Sequence, residues 1–111
     1  MQYTPFCKFP KEYKIEEVRL QKLPEINDLE GFIKLSNKFR NIFRNNFVDN
    51  SIIPYEESHN FFSNLKLDNS RVLYAISLHN QWIGHFGARD YGNKYIVLDN
   101  AMRFSPLGGK D

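Results

Sequence analysis

The sequence predicts an α+β domain in which two helices lie on a mostly antiparallel sheet. Three observations favour this fold class: a long amphipathic stretch over residues 28–45, an alternating apolar run that begins at Val72, and two short polar turns at residues 79–81 and 90–93. A helical period in the first half and a period of two in the second are typical of helices packed on a sheet. The length suits one domain, and we assign residues 1–111 to it.

The first half of the chain predicts one strand and then a long helix. Residues 1–14 contain two prolines and show no clear period, so we expect an irregular lead-in, whereas residues 17–23 predict a strand ended by a proline. Asn27 is the expected N-cap of the first helix, over residues 28–45, with Glu30 reaching back to the cap amide. The apolar side chains of this helix form one stripe: Leu29, Phe32, Ile33, Phe39, Ile42 and Phe43.

A second helix is predicted after the Asn-rich loop at residues 45–51. Pro54 suits its first turn, and Glu56 and Glu57 lie near the positive end of the helix. Its inner stripe consists of Tyr55, Ser58, Phe62 and Leu65. A turn at residues 68–70 separates this helix from the strands that follow.

The second half predicts three strands joined by tight connections. Residues 72–78 are largely apolar on both faces, which indicates a central strand covered on both sides. Residues 82–89 and 94–103 form the next two strands, and the short turns between the three strands favour an antiparallel meander.

Composition and charge exclude several classes of protein. The hydrophobic content of 41%, with ten Phe and six Tyr, is typical of a folded domain, and no apolar run is long enough to span a membrane. The N-terminus lacks the pattern of a secretory signal and Cys7 is the single cysteine, so we expect a cytoplasmic protein without an internal disulfide. The three His, one Cys and scattered carboxylates show no metal-ligand spacing.

A basic group on the first helix raises the question of nucleic-acid binding. It consists of Lys34, Lys38, Arg40 and Arg44. The Phe residues between these cations lie on the predicted buried stripe, so a solvated helix face explains the cations more simply. The net charge of +2 likewise argues against a dedicated nucleic-acid surface.

The segment QWIGHFGARDYGNKYIVLDNAMR, residues 81–103, is the most informative part of the chain. Its apolar-Gly-polar step at residues 83–85, its turn and its long final strand resemble the N-terminal half of the GNAT N-acyltransferase superfamily. The resemblance covers residues 17–111, and the EESHNFF helix at residues 56–62 resembles the subset that acetylates amino sugars. It implies acetyl transfer from acetyl-CoA to a primary amine, with an amino-sugar nucleotide as a candidate acceptor.

The resemblance also implies a coenzyme-binding loop after the last strand. The family's loop has Gln or Arg, two residues, Gly, one residue, then Gly or Ala; Arg103 and Gly108 match that spacing, Pro106 replaces the first Gly, and Gly109 follows. Such a loop binds the diphosphate of an acyl-CoA with backbone N–H groups, and a proline removes one of them. In the family a helix and further strands follow the loop. We therefore expect a domain truncated after the fourth strand and inactive alone, with weak or absent binding of acetyl-CoA.

The residues that the resemblance assigns to the coenzyme lie on the last predicted strand and in this loop. A backbone N–H near Ala101, Met102 or Arg103 would polarise the thioester carbonyl. Arg103, with Gly108 and Gly109, would contact the phosphates. The general acid of many relatives is a Tyr in the half that follows the loop, so none is assigned.

Two residues are candidates for the general base that takes the proton of the amine. Asp99 lies on the last strand near the expected splay, and His85 has a side chain whose ordinary pKa suits proton transfer near neutrality. Each has a structural alternative, because Asp99 could pair with Arg89 and His85 could bond to a neighbouring group. His59 on the second helix is expected to be solvated.

The main alternative to an enzyme is a non-catalytic module that associates through its last strand, residues 94–103. An unpaired strand edge favours association with another chain. The partner would be a second copy or a polypeptide that supplies further strands. A small nucleic-acid binder ranks below both hypotheses.

Overall fold

The computed structural model describes residues 6–92 and 96–104, and within them five strands form one antiparallel sheet. The strands follow one another in space in chain order, so each pairs with the next. The predicted α+β class, with two helices on an antiparallel sheet, is confirmed. The elements are β1 (Glu12–Ile15), β2 (Val18–Lys22), α1 (Leu29–Ile42), α2 (Tyr55–Ser63), β3 (Arg71–Leu78), β4 (Gln81–Asp90) and β5 (Ile96–Arg103).

Strand β1 lies in a segment that was predicted to be irregular. It pairs with β2 through a tight turn in which Glu16 has a positive φ of 55°. Its four residues, Glu-Tyr-Lys-Ile, do alternate polar and apolar side chains, but a stretch this short beside Pro10 is too brief to predict a strand, and all four residues are exposed. Backbone pairing to β2 and a cross-strand ion pair between Glu12 and Arg19 hold it in place.

Helix α1 begins one residue later than the predicted cap implies. Asp28, not Asn27, is the N-cap, and its side chain accepts a hydrogen bond from the Gly31 N–H at 3.1 Å. The helix ends at Ile42, and a separate 3-10 turn covers Arg44–Asn46, so the predicted helix to residue 45 was too long.

Two asparagines of α1 fix the approach to α2. The Ile53 carbonyl accepts hydrogen bonds from the side-chain amides of Asn37 and Asn41, at 2.8 Å and 3.0 Å. The Ile53 N–H donates to the Asn41 side-chain oxygen at 2.7 Å. Pro54 is the N-cap of α2 and does not lie in its first turn as predicted. These bonds satisfy the backbone of the loop just before α2 and hold the two helices side by side.

The main core lies between the helices and the centre of the sheet. Phe32 is fully buried, and its ring makes edge contacts with Phe62 at 5.6 Å and Trp82 at 5.4 Å between ring centroids. Leu73 and Ala75 of β3 complete this cluster from the sheet side. Such aromatic pairs contribute about 0.5–1.5 kcal/mol each beyond the area that they bury.

A smaller cluster covers the opposite face of β3. Phe6 packs on Val72 and Tyr74, with Phe9 beside them. The prediction that β3 is covered on both faces is therefore confirmed. Among the described residues no helix is long and apolar enough to cross a membrane.

Candidate functional site

Strand β5 carries a bulge next to the middle of β4. His85 lies opposite Met102, but Gly87 lies opposite Asp99, so β5 has one more residue than β4 between these two pairs. Asn100 takes up the irregularity with a left-handed backbone, φ 52°. Asn is among the few residues other than Gly that adopt this conformation readily.

His85 joins this bulge to helix α1. Its Nδ1 lies 2.6 Å from the Asn100 carbonyl, and its Nε2 lies 3.0 Å from the Ser36 hydroxyl. A carbonyl can only accept, so Nδ1 carries the hydrogen and Nε2 of the neutral ring accepts the Ser36 O–H. His85 therefore holds helix and bulge in a fixed relation.

Burial keeps the imidazole of His85 neutral. His85 and Ser36 are both buried, and removal from water lowers the pKa of His85 from 6.5 to about 4. The hydrogen bond to the Asn100 carbonyl favours the protonated form and raises the pKa by a smaller amount. At neutral pH the ring is thus an unprotonated but weak base whose lone pair is already engaged by a hydroxyl.

A cavity of about 240 Å³, here called the helix cavity, opens beside this hydrogen-bonded chain between the two helices and β5. Its polar walls are Ser36, Arg40, Glu57, Ser58, His85 and Asn100. Its apolar walls are Ile53, Phe61, Phe62 and Met102. A small hollow with apolar sides and a few converging polar groups has the character of a ligand site.

A second hollow, the edge groove, lies at the end of β5. It measures about 390 Å³ and is lined by Ile76, Leu78, Ile83, Met102, Arg103 and Phe104. Met102, beside the bulge, is a wall residue of both the edge groove and the helix cavity. Six polar residues line the helix cavity, whereas Arg103 is the one polar residue that lines the larger edge groove.

A third hollow of about 380 Å³ lies away from all the predicted site residues. It is bounded by the segment around Phe6 and by residues of β2 and β3. Four cations line it: Lys11, Lys22, Lys66 and Arg71. Lys22 donates to the carbonyls of Phe6 and Phe9 at 2.7 Å and 3.3 Å, while Lys11 pairs with Glu25 and Arg71 with Asp99. Contacts within the chain thus engage three of the four cations.

The two candidate bases have different surroundings. Asp99 does not line the helix cavity; its Oδ2 lies 2.6 Å from Arg71 Nε, an ion-pair contact without the alignment of a hydrogen bond. The expected pairing with Arg89 is wrong, because the Arg89 guanidinium lies over the ring of Tyr91 at 5.2 Å. His85 alone of the two lies at the cavity wall.

The predicted coenzyme residues lie partly within the described chain. Met102 and Arg103 line the edge groove, whereas Ala101 lies in the bulge and is exposed. Gly108 and Gly109 lie outside the described residues. Gly84, opposite Arg103, allows the two strands to approach, since a Cβ there would lie 2.2 Å from the Met102 carbonyl oxygen.

Five polar residues of the helix cavity were not predicted as site residues. Ser36 is the one buried polar position on the apolar stripe of α1, and Arg40 follows it one turn later on the same face. Arg40 was wrongly placed on a solvated face. Glu57 and Ser58 of α2 and Asn100 of the bulge complete the set. A small polar residue within an apolar helical stripe was the available signal for this cavity.

Metal-ligand geometry is not found in this site. Within residues 6–92 and 96–104 no group of three or more His, Cys, Asp or Glu side chains is arranged to hold a metal ion.

Comparison with known proteins identifies the fold. No model of a known protein family matches the chain, and no curated protein matches it. One similar solved structure, a "putative acetyltransferase", superposes with a TM-score of 0.60 over 89% of this chain and 50% of that one, at 18% sequence identity. The fold is acetyltransferase-like. This chain spans about half the length of that structure, and the likeness concerns the fold alone.

Proposed function

We propose that this chain supplies the acceptor-binding half of an acyl-CoA-dependent N-acetyltransferase of the GNAT type. The observation that carries the proposal is that Met102, beside the bulge of β5, lines both the helix cavity and the edge groove. In this proposal the amine occupies the helix cavity and the acyl thioester approaches along the groove. The acetyltransferase-like fold supports the reaction class.

The proposed chemistry is attack of the amine nitrogen on the thioester carbonyl. The C–N bond forms, the C–S bond breaks, and the proton lost from nitrogen is carried to the departing sulfur. Holding the two reactants together supplies most of the acceleration. In the bulge, Asn100 and Ala101 fall outside the regular register with β4, and we assign the N–H that stabilises the developing oxyanion to Ala101 or Met102.

Ser36 and His85 form the proposed proton path. The Ser36 hydroxyl passes its hydrogen to Nε2 of His85 as it takes one from the amine. The imidazolium then returns the proton through the Ser36 hydroxyl, which passes its hydrogen to the departing sulfur and restores neutral His85. Asp99, held by Arg71, is the less suitable base.

The complete coenzyme site requires a second wall beyond β5. Among the described residues no strand lies on the outer side of β5. The proposal assigns this wall to chain outside residues 6–104 or to another polypeptide, and we expect the chain by itself to bind acetyl-CoA weakly and to turn over at the background rate.

Isothermal titration tests this function. Acetyl-CoA should bind the 111-residue chain saturably with a Kd of roughly 1 mM, and S-acetyl-N-acetylcysteamine, a thioester without the diphosphate, should bind more weakly. Absence of saturable binding up to roughly 10 mM contradicts a donor site on β5. A micromolar Kd for acetyl-CoA supports the family assignment but contradicts the expectation that the chain is inactive alone. Release of CoA thiol in the presence of a primary amine would then measure the activity.

A second candidate function is association through β5 without catalysis. The observation in its favour is the exposure of consecutive apolar side chains at this edge, with Leu98 80% exposed beside Ile96 and Val97. Apolar residues on an edge strand favour pairing with another chain. Light scattering distinguishes this candidate, since a strictly monomeric folded protein at high concentration removes self-association.

A further inference from the structure

We infer that the acceptor bound in the helix cavity is a small amine that also carries an anionic group, a carboxylate or a phosphate, and that Arg40 binds this anion. The inference rests on the proposed function, because it names the substrate class of the same site. It depends on the contacts of the Arg40 guanidinium, on the negative charge of Glu57 and on the volume of the helix cavity.

Arg40 is held in place with one donor unused. Its Nη2 donates to the Asp49 carbonyl at 2.5 Å, and its guanidinium lies 4.2 Å from the centroid of the Phe47 ring. Its Nη1 is buried and has no hydrogen-bond partner among the described residues. A buried cationic donor without a partner is unfavourable, so a ligand anion that lets Nη1 form a hydrogen bond is favoured.

The nearby carboxylate of Asp49 does not take this role. Its Oδ1 accepts from the Ser51 hydroxyl at 2.6 Å and from the Ser51 N–H at 3.0 Å. These bonds lower the pKa of Asp49, with a smaller contribution from the charge of Arg40. Asp49 therefore weakens the positive field at Arg40 but forms no ion pair with it, so Arg40 remains the cation on the wall of the helix cavity.

The opposite charge in the cavity comes from helix α2. The exposed side chain of Glu57 lines the same cavity and forms no ion pair or hydrogen bond among the described residues, whereas its backbone N–H donates to the Pro54 carbonyl. Arg40 and Glu57 are farther apart than the 4.0 Å of an ion pair, so two unlike charges face one hollow without neutralising each other. A zwitterion with its anion on Arg40 and its ammonium toward Glu57 complements this arrangement.

The volume of the cavity limits the acceptor. At about 240 Å³ it is smaller than the roughly 300–1,000 Å³ typical of sites for larger ligands. Phe61 and Phe62 supply an apolar wall for the short aliphatic body of such an acceptor. This favours an acceptor of amino-acid size over a nucleotide-linked sugar lying wholly inside the cavity.

NMR titration of the ¹⁵N-labelled chain tests the inference with three probes that share a short aliphatic amine: propylamine, 3-aminopropanoate and 3-aminopropylphosphonate. We expect either anionic amine to bind at least about tenfold more tightly than propylamine, with shifts at the Arg40 side chain and along the cavity. The tighter of the two identifies carboxylate or phosphate as the preferred anion.

Arg40→Gln should remove this preference, and Arg40→Lys, which keeps the charge without the planar fork, should reduce it. Arg44→Gln is the matched control, because Arg44 is exposed just after the same helix and does not line the cavity. Each variant is first checked for a native-like spectrum. Arg40→Lys serves as the cavity variant if Arg40→Gln does not fold.

Equal binding of propylamine and the anionic amines, or equal loss in Arg40→Gln and Arg44→Gln, would overturn the inference. Binding of none of the probes would overturn it as well. None of these results bears on the donor site, which is tested separately by acetyl-CoA. The inference can thus fail while the proposed function stands.

Discussion

The centre of the sheet and its β5 margin differ in burial and in the regularity of their strand pairing. At the centre, Leu73 and Ala75 are buried against Phe32, and aromatic contacts surround the fully buried ring. At the margin, β5 is largely exposed, interrupted by a bulge and paired on one side within the described residues. Burial at the centre therefore supplies most of the stability, while the polar side chains that line the candidate site lie at the margin.

Phe32→Ala should have the largest effect, because the side chain is fully buried and touches aromatic groups on α2, β4 and the end of β5. We expect a loss of about 3–5 kcal/mol in the free energy of unfolding, measured by chemical denaturation. The matched change at the margin, Leu98→Ala, should alter the value by no more than about 0.5 kcal/mol. Similar losses in the free energy of unfolding at Phe32 and Leu98 would contradict this difference between the centre and the margin.

Acidification should lower the free energy of unfolding through His85, which joins helix α1 to the bulge of β5. His85 has a folded pKa of about 4, below its ordinary 6.5, so the unfolded chain binds more protons between these values. The free energy of unfolding should be fully retained above pH 6.5 and should fall by about 3 kcal/mol as the pH drops toward 4. The measurement is urea denaturation across this range.

His85→Gln provides the control for this pH dependence. The variant lacks the titrating ring, so its stability should change less with pH than that of the parent between pH 6.5 and 4. The lowered pKa values of Asp49 and Asp68 act below 3.8 and do not overlap this window. Parallel pH profiles for parent and variant would show that His85 is not buried as described.

Substitutions at Asn100 test whether the bulge depends on the left-handed backbone of this residue. Asn100→Val places a β-branched residue in a left-handed backbone and should cost about 1–2 kcal/mol, whereas Asn100→Gly should be nearly neutral. Thermal unfolding of the two variants gives the comparison. Equal stability would mean that the bulge is absent or readily rearranged.

The smallest effect on stability is expected for Leu98→Lys. The side chain is 80% exposed on β5, so the free energy of unfolding should change by no more than about 0.5 kcal/mol. A charge on an edge strand opposes pairing, so any self-association seen by light scattering should decrease. Association that persists unchanged would place the contact elsewhere on the molecule.

The centre could be predicted from the sequence more completely than the margin. The stripe of Phe32, Ile33 and Phe39 and the two-sided β3 follow from periodicity, because burial imposes it. Strand β1 alternates over four exposed residues only, too few to predict a strand, and its contacts with β2 and with Tyr74 of β3 are non-local in part. The cap at Asp28 was missed because two adjacent residues suit that role and tertiary packing decides between them.

The candidate site could be predicted in part. The strand position of His85 was foreseen, but its partner Ser36 lies 49 residues away, and no local pattern reports such a contact. The pairing of Asp99 with Arg71 across the sheet is equally non-local. Arg40 was assigned to solvent because charge suggests exposure, while the Phe47 ring and the Asp49 carbonyl hold it at the cavity.

Photoaffinity labelling tests most directly the claim that the bulged margin of β5 receives an acyl-CoA. A CoA thioester with a photoreactive acyl group would be irradiated with the chain, with and without excess acetyl-CoA, and the labelled peptides mapped by mass spectrometry. The account predicts label on residues 100–104 and on walls of the helix cavity, suppressed by acetyl-CoA. Label on β1 and β2, or label that acetyl-CoA does not suppress, would contradict it.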